Sequence, residues 1–466
     1  MKPENRNLVL AVVLSMAVLF GWQIFVVQPE LEKEQARMAL DTKTESLTTQ
    51  QNGAPVAPQS SNDVMGSRRL AGVKAPGPEL AFTETEKRIL IDAPLVRGSF
   101  SIKGSRIDDI VLTGYQENLN PDSENIHFLK KVSSSSPFFA EFGWSTADTN
   151  QPMPNGETVW QSDSNILTPK KPVTLRWDNQ NGLVFIRTIS INEDYLITYD
   201  DTVVSSQSEP VTLFPYGLVR RHGRPDTFEL YILHEGPLGV FDETLNEQDY
   251  DDLTDAASEG IKITPENAGG WIGITDKYWL AALLPSQDEN YQFSFQSLGG
   301  SGNRFQVDYI NESGLVLSGG GTISTKGRLF AGAKKVVLLD QYSEELGIPN
   351  FDLAIDFGWF YFLTKPFFYA LNWLYNLFGN FGIATLAFTV VVKLAFFPLA
   401  NKSYHSMAKM RVLAPKLQTL REKYGEDRMR LNQEMMALYK TEKVNPAAGC
   451  LPILLQIPVF FALYKV

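Results

Sequence analysis

Lys393 places a positive charge inside the apolar run "LAFTVVVKLAFFPL", residues 386–399. Thr385 and Thr389 precede it at four-residue intervals, so a helix would carry all three polar side chains on one face. A lysine near the centre of a bilayer costs about 2.5–3.5 kcal/mol and needs a wet cavity or a partner. No acid occurs between residues 358 and 421. The pattern predicts a positively charged groove within the membrane, open to the cytoplasm; the alternative is a lysine that snorkels to the interface.

Residues typical of enzyme active sites are sparse. The chain has four histidines, of which His222 lies among three arginines in "LVRRHGRPD" and His234 follows twelve residues later. No phosphate-binding loop, metal cluster, nucleophile triad or pair of catalytic carboxylates is recognisable. We therefore expect no enzymatic activity, no catalytic residue, no metal and no cofactor. A membrane-anchored carbohydrate-binding or carbohydrate-active β-sandwich protein is the alternative class, and a channel or transporter is a third.

The N-terminal part reads as a membrane anchor followed by a tether. Residues 8–27 contain no charge and are long enough as a helix to cross the roughly 30 Å hydrocarbon core. No small-x-small cleavage pattern follows, which favours an uncleaved signal-anchor, with residues 1–7 in the cytoplasm, over a cleaved signal peptide. Residues 28–85 are rich in Gln, Ser, Pro and Gly and predict a flexible linker.

Between residues 86 and 345 the pattern changes to short runs with a period of two residues. The runs 183–191 and 195–204 flank a three-residue connection, which predicts a β-hairpin. Other runs are separated by Gly, Asn and Ser turns, and no long helical period lies between them. This part of the chain therefore predicts one large antiparallel β-sandwich domain.

Charge and cysteine content limit what this domain does. Cys450 is the only cysteine of the chain, so no disulfide stabilises the domain. The segment 28–357 carries 27 Lys and Arg against 47 Asp and Glu. Such an acidic segment lacks the basic surface that nucleic acids require, and no DNA partner is expected.

Three further apolar runs follow the domain, and the charge between them decides their topology. The loop 401–443 carries ten Lys and Arg against five acids, so the positive-inside rule places it in the cytoplasm. Only one of the two preceding runs can then cross the membrane. The first is half aromatic and is interrupted by Lys365 and Pro366, so we assign residues 346–379 to an interfacial amphipathic helix region. Residues 381–400 and 446–466 are the second and third predicted transmembrane helices.

The loop 401–443 shows a helical period on both sides of "YGEDR", which predicts a hairpin of two antiparallel helices. Five of the ten methionines lie in it. They form either an adaptable surface for hydrophobic clients or a filling for the seam between the helices. Its basic residues either fix orientation as a solvated face or contact anionic lipid or ribosomal RNA.

The segments "QEMMALYKTEKVNP" and "GCLPILLQIPVFFALY" resemble the YidC/Oxa/Alb family of membrane protein insertases in its Gram-negative form. The resemblance covers the whole chain, most strongly residues 350–466. It implies an α-helical protein of the inner membrane with a large periplasmic antiparallel β-sandwich domain and a cytoplasmic helical hairpin. It also implies an insertase and chaperone that takes hydrophobic segments of nascent membrane proteins into an amphiphilic groove and releases them to lipid, without nucleotide hydrolysis. The implied partners are nascent membrane proteins, the Sec translocon, the ribosome or targeting machinery, and membrane lipids.

The resemblance assigns roles to individual positions. Groove residues are Lys393, Thr389, Thr385 and Gln456. Recruitment residues of the hairpin are Met407, Met410, Arg411, Lys416, Arg421, Arg428, Arg430, Met435 and Met436. Most relatives place arginine where this chain has Lys393, so we expect weaker binding of some substrates if a bidentate contact matters. Relatives also continue with three more spans beyond the position of Val466, so we expect weak or no insertase activity from these 466 residues alone.

Overall fold

A computed structural model describes residues 87–120, 122–225, 233–258, 262–265, 269–298, 303–425, 427–442 and 451–466. The predicted cytoplasmic N-terminus, signal-anchor and flexible linker lie outside the described residues. The description therefore begins with the predicted β-sandwich domain.

Two large β-sheets make up this domain. The strands of the first sheet are β1 (Arg88–Asp92), β2 (Val96–Ser101), β3 (Ile107–Gln116), β4 (Asn125–Leu129), β5 (Phe138–Ser145), β7 (Ile166–Leu167), β11 (Val211–His222), β16 (Tyr291–Ser297), β17 (Arg304–Asn311) and β18 (Leu315–Leu317). The strands of the second sheet are β6 (Gln161–Ser162), β8 (Val173–Asp178), β9 (Leu183–Ile191), β10 (Leu196–Ser205), β12 (Gly236–Phe241), β13 (Thr244–Glu247), β14 (Gly270–Thr275), β15 (Trp279–Pro285) and β19 (Thr322–Ala333).

The order of the strands shows how the chain crosses between the sheets. The first sheet runs β16-β17-β11-β5-β3-β2-β1-β7, with β18 paired to β11 and β4 paired to β3. The second runs β13-β12-β14-β15-β19-β10-β9-β8-β6. Neighbouring strands are antiparallel except for β1 and β7, which pair in parallel. The predicted antiparallel β-sandwich is confirmed apart from that short edge pair.

The period of two residues explains how the core forms. In β9, every second residue from Leu183 to Ile191 is buried and the residues between are half-buried, as alternation across a pleated strand requires. The predicted hairpin is confirmed, because β9 and β10 pair with Ile191 opposite Ile197. The apolar faces of the two sheets thus share one hydrophobic core.

One buried ion pair interrupts this apolar core. The Nε and Nη2 of Arg187 donate to the two carboxylate oxygens of Asp201 at 2.7 and 2.6 Å. The Nη1 of Arg187 donates to the carbonyl oxygen of Phe142 at 2.7 Å, and the indole of Trp144 donates to Asp201 at 3.0 Å. Both charges are therefore paired and hydrogen-bonded, as burial of an ion pair requires.

The domain also contains helices that the period of two did not predict: α1 (Tyr250–Ser258), α2 (Val336–Leu346) and a 3₁₀ turn (Phe351–Ala354). In α2, Leu338, Leu339 and Tyr342 are buried in the domain core. The indole of Trp271 donates to the carbonyl oxygen of Pro349 at 3.1 Å, and its ring meets Phe351 edge to face. The segment after β19 is therefore a helical cover on the sandwich, and the last strand ends at Ala333.

Four helices follow: α3 (Tyr361–Phe378), α4 (Phe381–Tyr424), α5 (Arg428–Thr441) and α6 (Leu451–Lys465). The side chain of Asn380 caps α4 by accepting a hydrogen bond from the amide of Ile383 at 3.2 Å. The helix then continues for 44 residues, about 66 Å, through Pro398 and Pro415.

The predicted transmembrane segment 381–400 is not a helix by itself, because α4 continues without a break from Phe381 to Tyr424. A proline inside a helix removes one hydrogen bond without necessarily ending the helix. The predicted membrane segment and the first half of the predicted hairpin are therefore one continuous helix.

Length and composition distinguish these helices. In the part of the chain that the structure describes, α4 is the one helix long and apolar enough to cross a membrane. The described part of α6 is a shorter apolar helix, and residues 443–450 lie outside the description. The aromatic helix α3 is 18 residues long but is not apolar enough to count as a span.

Candidate functional site

Helix α4 carries the polar side chains that the sequence singled out. Thr385, Thr389 and Lys393 are all exposed on it. The hydroxyl of Thr385 donates to the carbonyl oxygen of Phe381 at 2.9 Å, and that of Thr389 donates to the carbonyl of Thr385 at 2.8 Å. Each hydroxyl therefore donates its proton to a carbonyl of the same helix, and its oxygen can still accept a hydrogen bond from another molecule. We call these three residues the polar stripe.

The packed face of α4 lies beside the polar stripe. Ala384 and Phe388 are buried against Leu371 and Leu374 of α3. Phe388 also meets the ring of Phe367 edge to face, with 5.1 Å between ring centroids. The helix therefore packs through its alanine and phenylalanine side chains, and the polar stripe is left open.

Lys393 has no carboxylate within ion-pairing distance among the described residues, as the absence of nearby acids in the sequence suggested. Gln456, the fourth predicted groove residue, is half-buried on α6. Within the described ranges, no hydrogen bond joins Gln456 to the polar stripe. The structure thus groups three of the four groove residues on one helix face and leaves Gln456 on a separate helix.

A second lysine, Lys365 of α3, forms a cluster that the sequence did not reveal. Its Nζ lies 2.8 Å from Asp340 of α2, 2.7 Å from Asp352 of the 3₁₀ turn and 3.0 Å from the hydroxyl of Tyr361. The hydroxyl of Tyr369 donates to Asp340 as well. This Lys365 cluster joins α3 to the helical cover of the sandwich.

The electrostatics of the cluster favour the charged lysine. Burial on its own would lower the pKa of Lys365, but hydrogen bonds from Nζ to Asp340, Asp352 and Tyr361 outweigh it and raise the pKa well above its usual value. Burial and the hydrogen bond to Asp340 raise the pKa of Tyr369 to about 12. The signal in the sequence was the lone charge of Lys365 in an aromatic run, which pointed to the interface but not to these partners.

A second ion pair ties α6 to the same region. Lys465, the last residue of α6, donates to Asp356, which follows the 3₁₀ turn. The side chains are 17 and 27% exposed, so water screens the pair only in part. Two lysines on two different helices therefore contact acids in the segment between the β-sandwich and α3.

The hairpin predicted for residues 401–443 consists of the second half of α4 and of α5. Lys416 pairs with Glu442 at 2.7 Å, and the guanidinium of Arg430 lies 5.7 Å from the ring centroid of Tyr424. Because the first contact is far from the turn and the second is next to it, the two helices run antiparallel. Leu413 is buried on the α4 side.

The nine predicted recruitment residues divide by exposure. Met410 and Met435 are half-buried, whereas Met407 and Met436 are exposed. Arg411 and Arg421 are exposed and form no ion pair within the described part of the chain, while Lys416 and Arg430 have the contacts given above. Arg428 begins α5.

A large β-sandwich domain followed by a long apolar helix is the arrangement expected of a membrane protein with a domain outside the membrane. Residues 88–370 match the family described as YidC periplasmic domain, and residues 373–466 match the family described as 60Kd inner membrane protein. The chain belongs to the YidC family, as the sequence resemblance predicted. Membership places the protein in the inner membrane and the β-sandwich in the periplasm.

Named relatives match the chain over almost its whole length. A membrane protein insertase YidC from Rickettsia bellii is 44% identical over 99% of this chain and 78% of its own length. A membrane protein insertase YidC from Methylobacterium nodulans is 44% identical over 99% of this chain and 76% of its own length. Among solved structures, a galactose mutarotase related enzyme from Lactobacillus acidophilus is similar at 10% identity and a TM-score of 0.36, covering 52% of this chain and 97% of that chain. A likeness at this level carries no conclusion about activity.

Proposed function

We propose that this protein is a membrane protein insertase that takes hydrophobic segments of nascent inner-membrane proteins into the membrane along the polar stripe and releases them to lipid. The observation that carries the proposal is the 44% identity to proteins named as insertases, spread over 99% of the chain rather than over one domain. The stripe supports it, because an exposed cation on an apolar helix gives a polar tail a favourable path through the hydrocarbon.

The proposed topology follows the charges of the chain. The N-terminus and the hairpin formed by α4 and α5 are cytoplasmic, α4 and α6 cross the membrane, and α3 lies in the outer interface. Exposed aromatic side chains on and beside α3 support this position, since Trp and Tyr favour the headgroup region: Trp359, Phe362, Tyr369 and Trp373. The Lys365 cluster also supports it, because two carboxylates and a lysine belong outside the hydrocarbon core.

The proposed division of labour assigns each part a partner. Lys393 attracts acidic N-terminal tails of substrates, Thr385 and Thr389 accept hydrogen bonds from the backbone of the tail, and Gln456 contributes a further polar group. The hairpin receives nascent chains from the ribosome or targeting machinery and contacts anionic lipid. The protein acts alone or beside the Sec translocon.

Site-specific photo-cross-linking tests where the client binds. A photoreactive residue replaces Thr389, on the stripe, or Val391, which is also exposed but points away from Thr389 around the helix. Membranes carrying either variant receive ribosome-stalled single-span substrates of increasing length. We expect a cross-link at position 389 as the hydrophobic segment emerges and a weak or absent one at 391. Equal cross-linking at both positions would contradict the stripe as the binding face.

A charge series tests the role of Lys393. At about 6 Å and an effective dielectric constant near 20, one charge pair contributes roughly 2–3 kcal/mol before screening. If screening by water and salt removes about half of this, about 1.4 kcal/mol remains, so loss of the cation should cost about tenfold in insertion. We expect Lys393→Gln to slow insertion of a substrate with an acidic tail by that factor and to leave a substrate with a neutral tail nearly unchanged. Lys393→Arg should retain activity with both. An equal loss for both tails in Lys393→Gln would show that charge attraction is not the cause.

A further inference from the structure

Two cavities meet where the β-sandwich joins the membrane helices. The first has a volume of about 560 Å³ and lies at the end of β19 and the start of β15. The second has a volume of about 790 Å³ and lies between β13, the segment 353–361 and the end of α6. Four residues line both: Glu247, Ile355, Asp356 and Lys465. Both volumes fall in the range of about 300–1,000 Å³ that is typical of small-molecule sites.

The first cavity is lined by charges of both signs. Its cations are Lys277, Lys334 and Lys465, and its anions are Glu247 and Asp356. Lys334 is half-buried, and its Nζ donates to the hydroxyl of Thr275 at 2.8 Å. Such a lining fits a ligand that itself carries a negative and a positive group.

The second cavity is apolar and open. Leu245 and Leu353 lie on the side of the β-sandwich, and the aromatic residues Phe357, Trp359, Phe360 and Phe461 lie on the other sides. Phe360 and Phe461 are nearly parallel, with 6.2 Å between ring centroids. Trp359 and Phe461 are 87 and 58% exposed, so the cavity opens outward along apolar side chains. Such a surface fits a hydrocarbon chain.

We propose that the two cavities together bind one phospholipid with a zwitterionic, amine-bearing headgroup. Its phosphate lies among Lys277, Lys334 and Lys465, its ammonium contacts Glu247 and Asp356, and one acyl chain lies in the apolar cavity. The inference rests on the proposed function, because it requires the segment 353–361 to lie at the membrane surface.

The chemistry of the ligand follows from the joined cavities. A soluble sugar phosphate would leave the apolar cavity in contact with water, and a hydrocarbon alone would place no charged group against the charged lining of the first cavity. Burial lowers the pKa of Lys334 to about 8, although nearby acids such as Asp276 act in the opposite direction. A bound phosphate stabilises the charged form of Lys334. Their attraction offsets the free-energy cost of removing water from the lysine and from the phosphate.

The site has a structural consequence for the junction. A lipid held between the β-sandwich and α6 replaces water in the apolar cavity and touches the Lys465 and Asp356 pair on its outer side. The periplasmic domain then keeps its position relative to the bilayer through a lipid as well as through ion pairs.

A photoreactive lipid tests the proposal with the full chain. The protein is reconstituted into phosphatidylcholine vesicles that contain phosphatidylethanolamine with a diazirine in one acyl chain, and cross-linked peptides are mapped after illumination. We expect cross-links in residues 353–361 and at Phe461. The same label on phosphatidylglycerol, and on a diacylglycerol without phosphate, should give at least fivefold lower yields in these peptides. Equal yields from all three lipids would overturn the proposal and indicate ordinary annular lipid.

Two variants and one control test binding of the lipid headgroup and binding of the acyl chain separately. Lys334→Gln should lower the phosphatidylethanolamine yield at least fivefold, whereas Lys326→Gln, at an exposed ion pair with Asp200, should leave it unchanged. Leu245→Trp should fill the apolar cavity and lower the yield even if Lys334→Gln folds poorly; circular dichroism checks the fold of each. An unchanged yield in Leu245→Trp would refute the placement of the acyl chain. Insertion of a single-span substrate is measured in the same vesicles. Insertion without lipid cross-links would contradict the lipid site alone, whereas loss of insertion would contradict the proposed insertase function.

Discussion

The Lys365 cluster makes a quantitative prediction about how α3 is held to the β-sandwich. Lys365→Met keeps most of the aliphatic stem and removes the charge that bridges Asp340 and Asp352. The three side chains are 20, 22 and 8% exposed, so the cluster is largely but not fully shielded from water. Breaking a buried ion pair costs about 3–5 kcal/mol, and partial exposure puts the expected cost at the lower end, about 3 kcal/mol.

Hydrogen exchange of the full chain in detergent measures this cost at the right place. A loss of about 3 kcal/mol in the free energy of local opening lowers protection of the first amides of α3 roughly a hundredfold. The matched control is Lys326→Met, because Lys326 pairs with Asp200 at 3.0 Å but both side chains are nearly half exposed. That exposed pair should contribute less than about 1 kcal/mol, which changes protection only severalfold.

The pH dependence of the opening free energy gives an independent check on the direction of the Lys365 pKa shift. The folded pKa of Lys365 is raised, so its contribution is fully present below the unfolded value near 10.4 and fades only as pH rises beyond it. The difference in opening free energy between wild type and Lys365→Met should therefore stay constant from pH 7 to pH 9. Equal effects of the two substitutions on α3, or a difference that shrinks across this range, would refute the assignment of the cluster as an anchor.

Three further changes test other parts of the molecule. Asp201→Ala leaves Arg187 buried without its counter-charge and should lower the free energy of unfolding by about 3–5 kcal/mol, measured by urea denaturation with tryptophan fluorescence; a loss below about 1 kcal/mol would mean that water replaces the carboxylate. Gly98→Ala should cost at least about 1–3 kcal/mol in the same assay, because its Cβ would lie 1.9 Å from the carbonyl oxygen of Asp109 and the residue has a φ of +144°; a neutral result would show that β2 can shift. Lys334 has a folded pKa lowered to about 8, so the folded state binds fewer protons than the unfolded state above that pH. The wild type should gain about 1–2 kcal/mol relative to Lys334→Met between pH 7.5 and 9.5, and a constant difference would contradict the lowered pKa.

The sequence predicts the β-sandwich well because its signal is local. Alternation in β9 and β10 reflects the pleat of each strand, and the short connection between them specifies an antiparallel pair without any knowledge of the rest of the fold. Helix α2 escaped prediction because it has eleven residues and directly follows a long strand. Its apolar residues pack on the sandwich, and that tertiary burial, rather than a long helical period, stabilises it.

The candidate site shows the same limit. The polar stripe was readable because its three residues lie on one helix at a fixed spacing. The partners of Lys365 were not, because Asp340 and Asp352 lie in two separate elements that meet α3 only after the helical cover docks on the domain. The continuation of α4 beyond the predicted membrane segment could not be read from the sequence for a different reason. The composition changes near residue 400 from apolar to basic, but backbone hydrogen bonding in α4 does not change with it.

Helix α4 runs without a break from the polar stripe into the hairpin. Lys393 and Tyr424 lie about 46 Å apart along one helix axis, so in the proposed topology a single helix connects the polar stripe to the hairpin without an intervening loop. Pro398 and Pro415 each remove a backbone hydrogen bond, so the helix bends most easily at these two positions. In the proposed topology, a movement of the hairpin on docking of a cytoplasmic partner would therefore reach Lys393 along one helix, with bending at the two prolines.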